Sequence, residues 1–240
     1  MSEPSDAHQK DIQALAKGGQ TNVMGFVLRL MARIPFLIIA SRFYGAESLG
    51  RFASALVMVE LAAQLCTLGQ KRGLAQRLSE DREHPASAVA DAMLLTSLLA
   101  IPATIALYLF PQAMYPTGNF TEADRLLVIA ILPLALTDIA LAALAYRYDV
   151  ATTVRSRAVV EPWTLSIAAG VLFLVIPESG LQLAFVASIV AAALVAFWPL
   201  FRSYGLPQDW HPNPLRLGQL ALANLPLAGA DAVEWGTRKL

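Results

Sequence analysis

The sequence has little charge and almost no cysteine. Charged residues make up 15% of its 240 residues, against about 25% in ordinary soluble domains. The 18 lysines and arginines balance the 18 aspartates and glutamates, so charge gives no reason to expect a nucleic-acid partner. The single cysteine, Cys66, cannot form a disulfide within the chain. Because no cysteine–histidine cluster has the spacing of a metal site, we expect no bound metal. We also expect no cofactor.

Long apolar runs take the place of the missing charge. Hydrophobic residues make up 56% of the chain, and the mean hydropathy is +0.53. A bilayer core about 30 Å thick is crossed by a helix of about 20 mostly apolar residues. Six stretches have this character, and they are residues 21–40, 52–69, 88–110, 126–146, 159–176 and 181–201. The sequence therefore predicts an all-α integral membrane protein with a bundle of about six transmembrane helices. A weaker stretch at 217–235 predicts a partial seventh helix.

The cations are distributed unevenly between the predicted loops. With a cytoplasmic amino terminus, the inner segments carry eleven lysines and arginines and the outer loops carry three, while two lie in the first span and two near residue 240. This bias follows the positive-inside rule. The first 20 residues lack the apolar core of a cleaved signal peptide. We therefore expect a multi-pass protein of a bacterial inner membrane, with a cytoplasmic segment at 1–20, a bundle at 21–201, a cytoplasmic linker at 202–216 and a partial helix at 217–240.

Two arginines lie inside the first predicted span. Arg29 and Arg33 are four residues apart and share one helix face, and an arginine at the centre of a membrane helix costs about 2.5–3.5 kcal/mol on insertion scales. Glu60 and Gln64 share a face of the second span, and Asp138 lies in the fourth. In one interpretation these residues line a water-filled cavity that binds an anionic substrate. In the other, the arginines neutralise Glu60 and Asp138 as buried pairs.

Three segments near the amino terminus carry a family pattern. They are KGGQTN at 17–22, ASRFYGAESLGRF at 40–52 and LCTLGQKRGL at 65–74. In this order around two apolar spans, they resemble the oligosaccharide flippases, or polysaccharide biosynthesis proteins, of the multidrug/oligosaccharidyl-lipid/polysaccharide exporter superfamily. The resemblance covers residues 15–80, and hydropathy and loop charge extend it over the rest of the chain.

The resemblance implies a transporter rather than an enzyme. Such flippases move a lipid-linked oligosaccharide, carried on undecaprenyl pyrophosphate, across the inner membrane for the synthesis of surface polysaccharides such as lipopolysaccharide. Members of the family have about twelve to fourteen spans, arranged as two bundles around a cationic cavity. Residues 217–240 would then begin a second bundle. The chain would be a fragment, or a half-length protein that forms a homodimer in the lipid membrane.

Other functions fit parts of the sequence. A multidrug exporter of the same superfamily would couple export of a cation to Na⁺ or H⁺ through carboxylates such as Glu60 and Asp138. A membrane enzyme or a structural subunit of glycan assembly is a further alternative, with acidic and histidine residues at 79–85 and 209–212. The predicted outer loops are too short for a catalytic domain, and we therefore expect no enzymatic activity.

Overall fold

The protein is helical throughout the part of the chain that the structure describes. A computed structural model describes residues 27–80, 84–115, 118–207 and 210–239. Helices account for 87% of the described residues, and no strand occurs among them. The predicted all-α membrane bundle is confirmed. The predicted cytoplasmic segment 1–20 and the first six residues of the first span lie outside the described ranges.

Eight long helices occur within the described ranges. They are α1 (27–44), α2 (Gly45–Cys66), α3 (Gln70–Glu80), α4 (Pro85–Leu109), α5 (Ala123–Tyr146), α6 (Val150–Val175), α7 (Gly180–Tyr204) and α8 (Pro214–Lys239). Five segments are long and apolar enough to cross a membrane, and the first of these, Val27–Glu80, contains α1, α2 and α3. Because Gly45 divides that segment into two antiparallel helices, the described residues contain six helices of the kind that the sequence predicts to cross the membrane.

The turn between α1 and α2 is tighter than the predicted spans suggest. A loop over 41–51 is expected from hydropathy, whereas α1 continues to Tyr44 through a π-helical turn and α2 begins at Gly45. Gly45 has a φ of +85°, a conformation that glycine adopts without steric cost. The chain reverses there, and the rings of Phe36 and Phe52 pack 6.1 Å apart across the two helices.

The predicted loop after the second span contains a helix. Leu68 and Gly69 have φ values of +47° and +66° and form a corner after α2. The helix α3 then runs from Gln70 to Glu80 and buries Leu74 and Leu78. The side chain of Gln70, which is fully buried, donates to Thr96 Oγ1 of α4 at 3.2 Å. This contact fixes the beginning of α3 against the bundle.

Helix α6 begins nine residues before the predicted span at 159–176. Asp149 caps it, since its carboxylate accepts a hydrogen bond from the backbone amide of Thr152 at 3.1 Å. A side-chain acceptor at this position satisfies an amide that has no partner within the helix. Arg155 and Arg157, which the sequence places in a cytoplasmic loop, therefore lie within α6.

Small residues bring the helices of the bundle close together. Helix α7 packs against both α5 and α6. Ala140 and Ala143 of α5, and Ala192 and Ala196 of α7, are buried or almost so. In lipid the hydrophobic effect contributes little to association between helices, and close van der Waals packing of this kind stabilises the contacts instead.

Helix α8 lies against one end of the bundle. The sequence predicts a linker at 202–216 and a partial helix at 217–240, whereas α7 extends to Tyr204 and α8 already begins at Pro214. It contacts α2, α3 and α4. In the predicted orientation this end faces the cytoplasm. That orientation, and the role of α8 as the beginning of a second bundle, stay predictions.

Candidate functional site

A cavity opens between α1, α2, α6 and α7. Its volume is about 360 Å³, within the usual range of about 300–1,000 Å³ for ligand sites. The lining residues are Arg29, Ala32, Arg33, Phe36, Phe52, Leu56, Glu60, Arg157, Glu161, Pro162, Leu165 and Phe185. Polar and apolar side chains therefore share its wall.

The apolar part of the cavity includes three aromatic rings that contact one another. Phe52 of α2 packs against Phe36 of α1 and meets Phe185 of α7 edge to face, with the ring centres 5.7 Å apart. On the neighbouring wall, Ser166 of α6 donates to the carbonyl oxygen of Ala32 in α1 at 2.7 Å. These contacts connect the four helices around the opening.

The polar part begins with the two arginines of α1. Arg29 and Arg33 line the cavity from one helix face, and both residues are exposed. Neither of them forms a salt bridge with any other residue in the described ranges. Glu60 of α2 lines the same cavity. Guanidinium donors are thus present at the opening, where an anion could accept hydrogen bonds from them.

A network of four charged residues lies beside these arginines. Arg157 bonds Asp138 and also Glu161, whose carboxylate is 2.8 Å from Arg157 Nη1. Lys71 Nζ lies 2.8 Å from the second oxygen of Asp138 and donates to Gln64. The four charged side chains are between 16% and 30% exposed. Two cations meet two carboxylates, so the network is neutral as a whole.

The structure divides the five predicted site residues into two groups. Arg29, Arg33 and Glu60 meet at the cavity, whereas Gln64 and Asp138 belong to the neighbouring network. Asp138 is paired with Lys71 and Arg157, so it does not form the predicted pair with the arginines of α1. Their role in substrate binding stays a prediction.

Three charged residues of this region were not among the predicted site residues. Arg157 and Glu161 line the cavity, and Lys71 completes the network behind it. The spacing of Arg157 and Glu161, four residues apart in sequence, is that of a helical ion pair. This signal was available from the sequence, but the helix was expected to begin only at residue 159.

A separate polar cluster stabilises the opposite end of the bundle. The Asp124 carboxylate is fully buried and accepts hydrogen bonds from Arg51 Nε at 3.0 Å, from the Thr121 amide at 2.8 Å and from Gln182. The Tyr115 hydroxyl donates to the Asp124 carbonyl oxygen at 3.2 Å. Burial, with the added effect of the Asp124 charge, raises the pKa of the Tyr115 hydroxyl above its usual range. This cluster ties α2, α5 and α7 together.

Comparison with known proteins shows a likeness of fold alone. No protein-family model and no curated protein matches the sequence. The chain is similar to an outward-facing multidrug resistance MATE family transporter of the MOP superfamily, with a TM-score of 0.72 and 17% identity. It is also similar to a MOP superfamily transporter from Pyrococcus furiosus whose binding pocket of reverse polarity suggests a different function, with a TM-score of 0.71 and 17% identity.

The length of the match shows how much of that fold is present. In both comparisons the likeness covers 91% of this chain but 52% of the other. The chain therefore spans about half the length of the solved structures it matches. The helices of this chain therefore have a fold similar to that of about half of each of these two structures.

Proposed function

We propose that the chain is the half of a membrane transporter that binds the anionic headgroup of a lipid-linked oligosaccharide and helps to move it across the inner membrane. The observation that carries this proposal is the pair of arginines on the cavity wall. Arg29 and Arg33 line the cavity without a salt bridge to another described residue. Their charges are available to a ligand.

The charge balance of the site favours an anion. The network of Lys71, Asp138, Arg157 and Glu161 is neutral. Setting it aside leaves Arg29 and Arg33 against Glu60, so the formal charges of the described lining residues sum to one positive unit. A hydrogen bond to a charged group contributes about 1.5–3 kcal/mol. A pyrophosphate offers several oxygen acceptors to such a pair.

The apolar wall is suited to the other end of such a substrate. Phe36, Phe52 and Phe185, which are between 2% and 8% exposed, pack against one another at the inner wall of the cavity that the arginines also line. A lipid carrier combines a charged headgroup with a hydrocarbon chain, and the site presents both chemistries side by side. A cavity of about 360 Å³ accommodates a headgroup rather than a whole glycolipid. We propose that a second bundle, in the same polypeptide or in a second copy, encloses the remainder.

Export of cationic compounds, coupled to Na⁺ or H⁺, is the second candidate. The likeness to a multidrug resistance transporter and the presence of Glu60 and Glu161 on the cavity favour it. However, Glu161 is paired with Arg157, and Asp138 is held by both Arg157 and Lys71. A cation could bind these two carboxylates only by displacing a side chain that already neutralises them, so an anion remains the better fit.

Ligand binding to the purified protein distinguishes the two candidates. Undecaprenyl pyrophosphate and the lipophilic cation tetraphenylphosphonium are each titrated in detergent micelles, and binding is followed by thermal stabilisation. We expect the pyrophosphate to bind, and its affinity to fall roughly 100-fold when Arg29→Gln and Arg33→Gln are combined. Arg155→Gln is the matched control, because Arg155 is an exposed arginine of α6 that does not line the cavity.

Binding of the cation without binding of the pyrophosphate would favour the multidrug exporter. A test in cells completes the comparison, with the chain, or a longer protein that contains it, expressed in a strain that lacks its oligosaccharide flippase. Surface glycan should return with the natural sequence and not with the double arginine variant. Restoration by that variant would show that the arginines are not needed for transport.

A further inference from the structure

Helix α8 sits directly on the corner between α2 and α3. A methyl group added to Gly69 would lie 2.6 Å from the backbone nitrogen of Ala228, and one added to Gly73 would lie 2.3 Å from Asn224 Oδ1. A methyl group at Gly69 would meet the backbone of α8, so Gly69 is required for this close approach, whereas one at Gly73 would force the Asn224 side chain to move. Gly69 also has the positive φ that forms the corner.

Two ion pairs of Arg72 hold α8 against this corner. Arg72 Nε lies 3.0 Å from Asp231 Oδ1, and the same guanidinium bonds Glu234 one turn further along α8. Two polar groups of α8 at this contact nevertheless lack hydrogen-bond partners. Asn224 Nδ2 and the second oxygen of Asp231 are buried without a hydrogen-bond partner among the described residues. Buried polar groups without hydrogen-bond partners lower the stability of a contact. Such a contact between α8 and the corner would open more readily than a fully hydrogen-bonded one.

The residue before Arg72 connects the same corner to the cavity. Consecutive residues of a helix point about 100° apart, and here Arg72 faces α8 while Lys71 bonds Asp138 of α5 at 2.8 Å. Asp138 bonds Arg157, which bonds Glu161. Since Arg157 and Glu161 line the cavity, an unbroken series of ion pairs leads from this corner to its wall.

We infer that Arg72 is a positioning residue: by docking α8 on the corner, it holds Lys71 on Asp138 and thereby sets the charge at the cavity. When α8 leaves the corner, α3 is free to shift and Lys71 moves away from Asp138. The three remaining members of the network, Asp138, Arg157 and Glu161, then carry one negative charge. The docked state of α8 retains an anion in the cavity, and the undocked state releases it. The link to anion retention rests on the proposed function, whereas the link from α8 to Asp138 does not.

The natural cysteine reports on the corner. Cys66 is 5% exposed and lies three residues before Gly69. As the single thiol of the chain, it can be labelled with a maleimide in the purified protein. We expect Arg72→Gln to accelerate labelling roughly two- to tenfold, because the corner opens more often without its ion pair. Arg202→Gln is the control, since Arg202 is exposed and forms no salt bridge within the described ranges.

Rescue by exchange of charges distinguishes docking from a general loss of structure. Arg72→Asp alone should accelerate labelling at least as much as Arg72→Gln, since it opposes two carboxylates. Adding Asp231→Arg re-forms an opposite pair and should return the rate to near its natural value. If Arg72 variants do not fold, Glu234→Gln weakens the same contact more gently. An unchanged labelling rate in folded variants that lack this contact would overturn the docking role.

A double-mutant cycle tests the connection to the network. Asp138→Asn frees Lys71 from the other side, so Arg72→Gln should accelerate labelling less in that background than in the natural chain. Effects that simply multiply would overturn the coupling. Arg72→Gln should also weaken binding of undecaprenyl pyrophosphate severalfold. If that ligand does not bind the natural chain while the cycle shows coupling, the proposed substrate is wrong and the positioning role of Arg72 stands.

Discussion

Replacing Arg157 tests whether the charged network supports the bundle. The Arg157 side chain bonds Asp138 of α5 and Glu161 of its own helix, and it also donates to the carbonyl oxygen of Leu134 at 3.3 Å. The variant Arg157→Met keeps most of the volume of the side chain and removes its charge. Asp138 retains Lys71 as a partner, but Glu161 loses its cation, and the network acquires a net negative charge.

The expected cost follows from how deeply these groups lie. Arg157, Asp138 and Glu161 are 16%, 23% and 26% exposed. Removing one member of a fully buried ion pair costs about 3–5 kcal/mol. Because part of each side chain remains exposed, we expect about 3 kcal/mol for Arg157→Met. In a chain of this size that corresponds to a melting temperature lower by about 10 °C.

The assay is unfolding of the purified protein in micelles, followed by loss of helical circular dichroism. The double variant Arg157→Met/Glu161→Gln restores neutrality, and it should recover at least half of the lost stability. Arg155→Met, an exposed arginine two residues away, should change the stability by no more than about 0.5 kcal/mol. A double variant as unstable as Arg157→Met would refute the reasoning from charge balance.

Three further substitutions test separate contacts in the same unfolding assay. Gly73→Ala should destabilise the protein by about 1–3 kcal/mol, because the added methyl group meets Asn224, whereas Gly218→Ala meets nothing within 4 Å and should be neutral or stabilising. Equal effects of the two changes would contradict close packing of α8. Asp124→Asn should cost about 3 kcal/mol, since it leaves the Arg51 charge without its buried partner, and an unaltered stability would count against that cluster. Tyr44→Phe should cost about 1 kcal/mol through loss of its 2.7 Å hydrogen bond to the Ala169 carbonyl oxygen, and no change would mean that the bond is not formed in the membrane protein.

The apolar runs of the sequence predict the six crossings because lipid imposes a minimum length on each helix. They do not predict where the helices end, since these boundaries depend on single residues. Gly45 reverses the chain in place of a loop, and Asp149 begins α6 in a segment with two arginines. The helical corner before α3 likewise depends on the φ values of Leu68 and Gly69. Hydropathy carries no information about such local conformations.

The candidate site is predictable to the extent that a charge interrupts an apolar run. Arg29, Arg33 and Glu60 are conspicuous for this reason, and the structure places all three at one cavity. Arg157 and Lys71 lie outside the predicted spans, and their partner Asp138 belongs to a different helix from either of them. Pairs of this kind arise from tertiary packing, which a single sequence does not display.

Some charged side chains of the described helices have an ion-pair partner and others do not. We expect the two groups to differ in what their replacement changes. The buried Asp124 is matched by Arg51, and Asp138 is matched by Lys71 and Arg157. Groups that are already neutralised hold helices together, so their loss should appear chiefly as lost stability. Arg29 and Arg33 line the cavity without such partners among the described residues, and removing them breaks no ion pair there. On the proposed function, their loss should therefore appear in ligand binding while stability is kept, and this contrast would separate residues that stabilise the bundle from residues that bind a substrate.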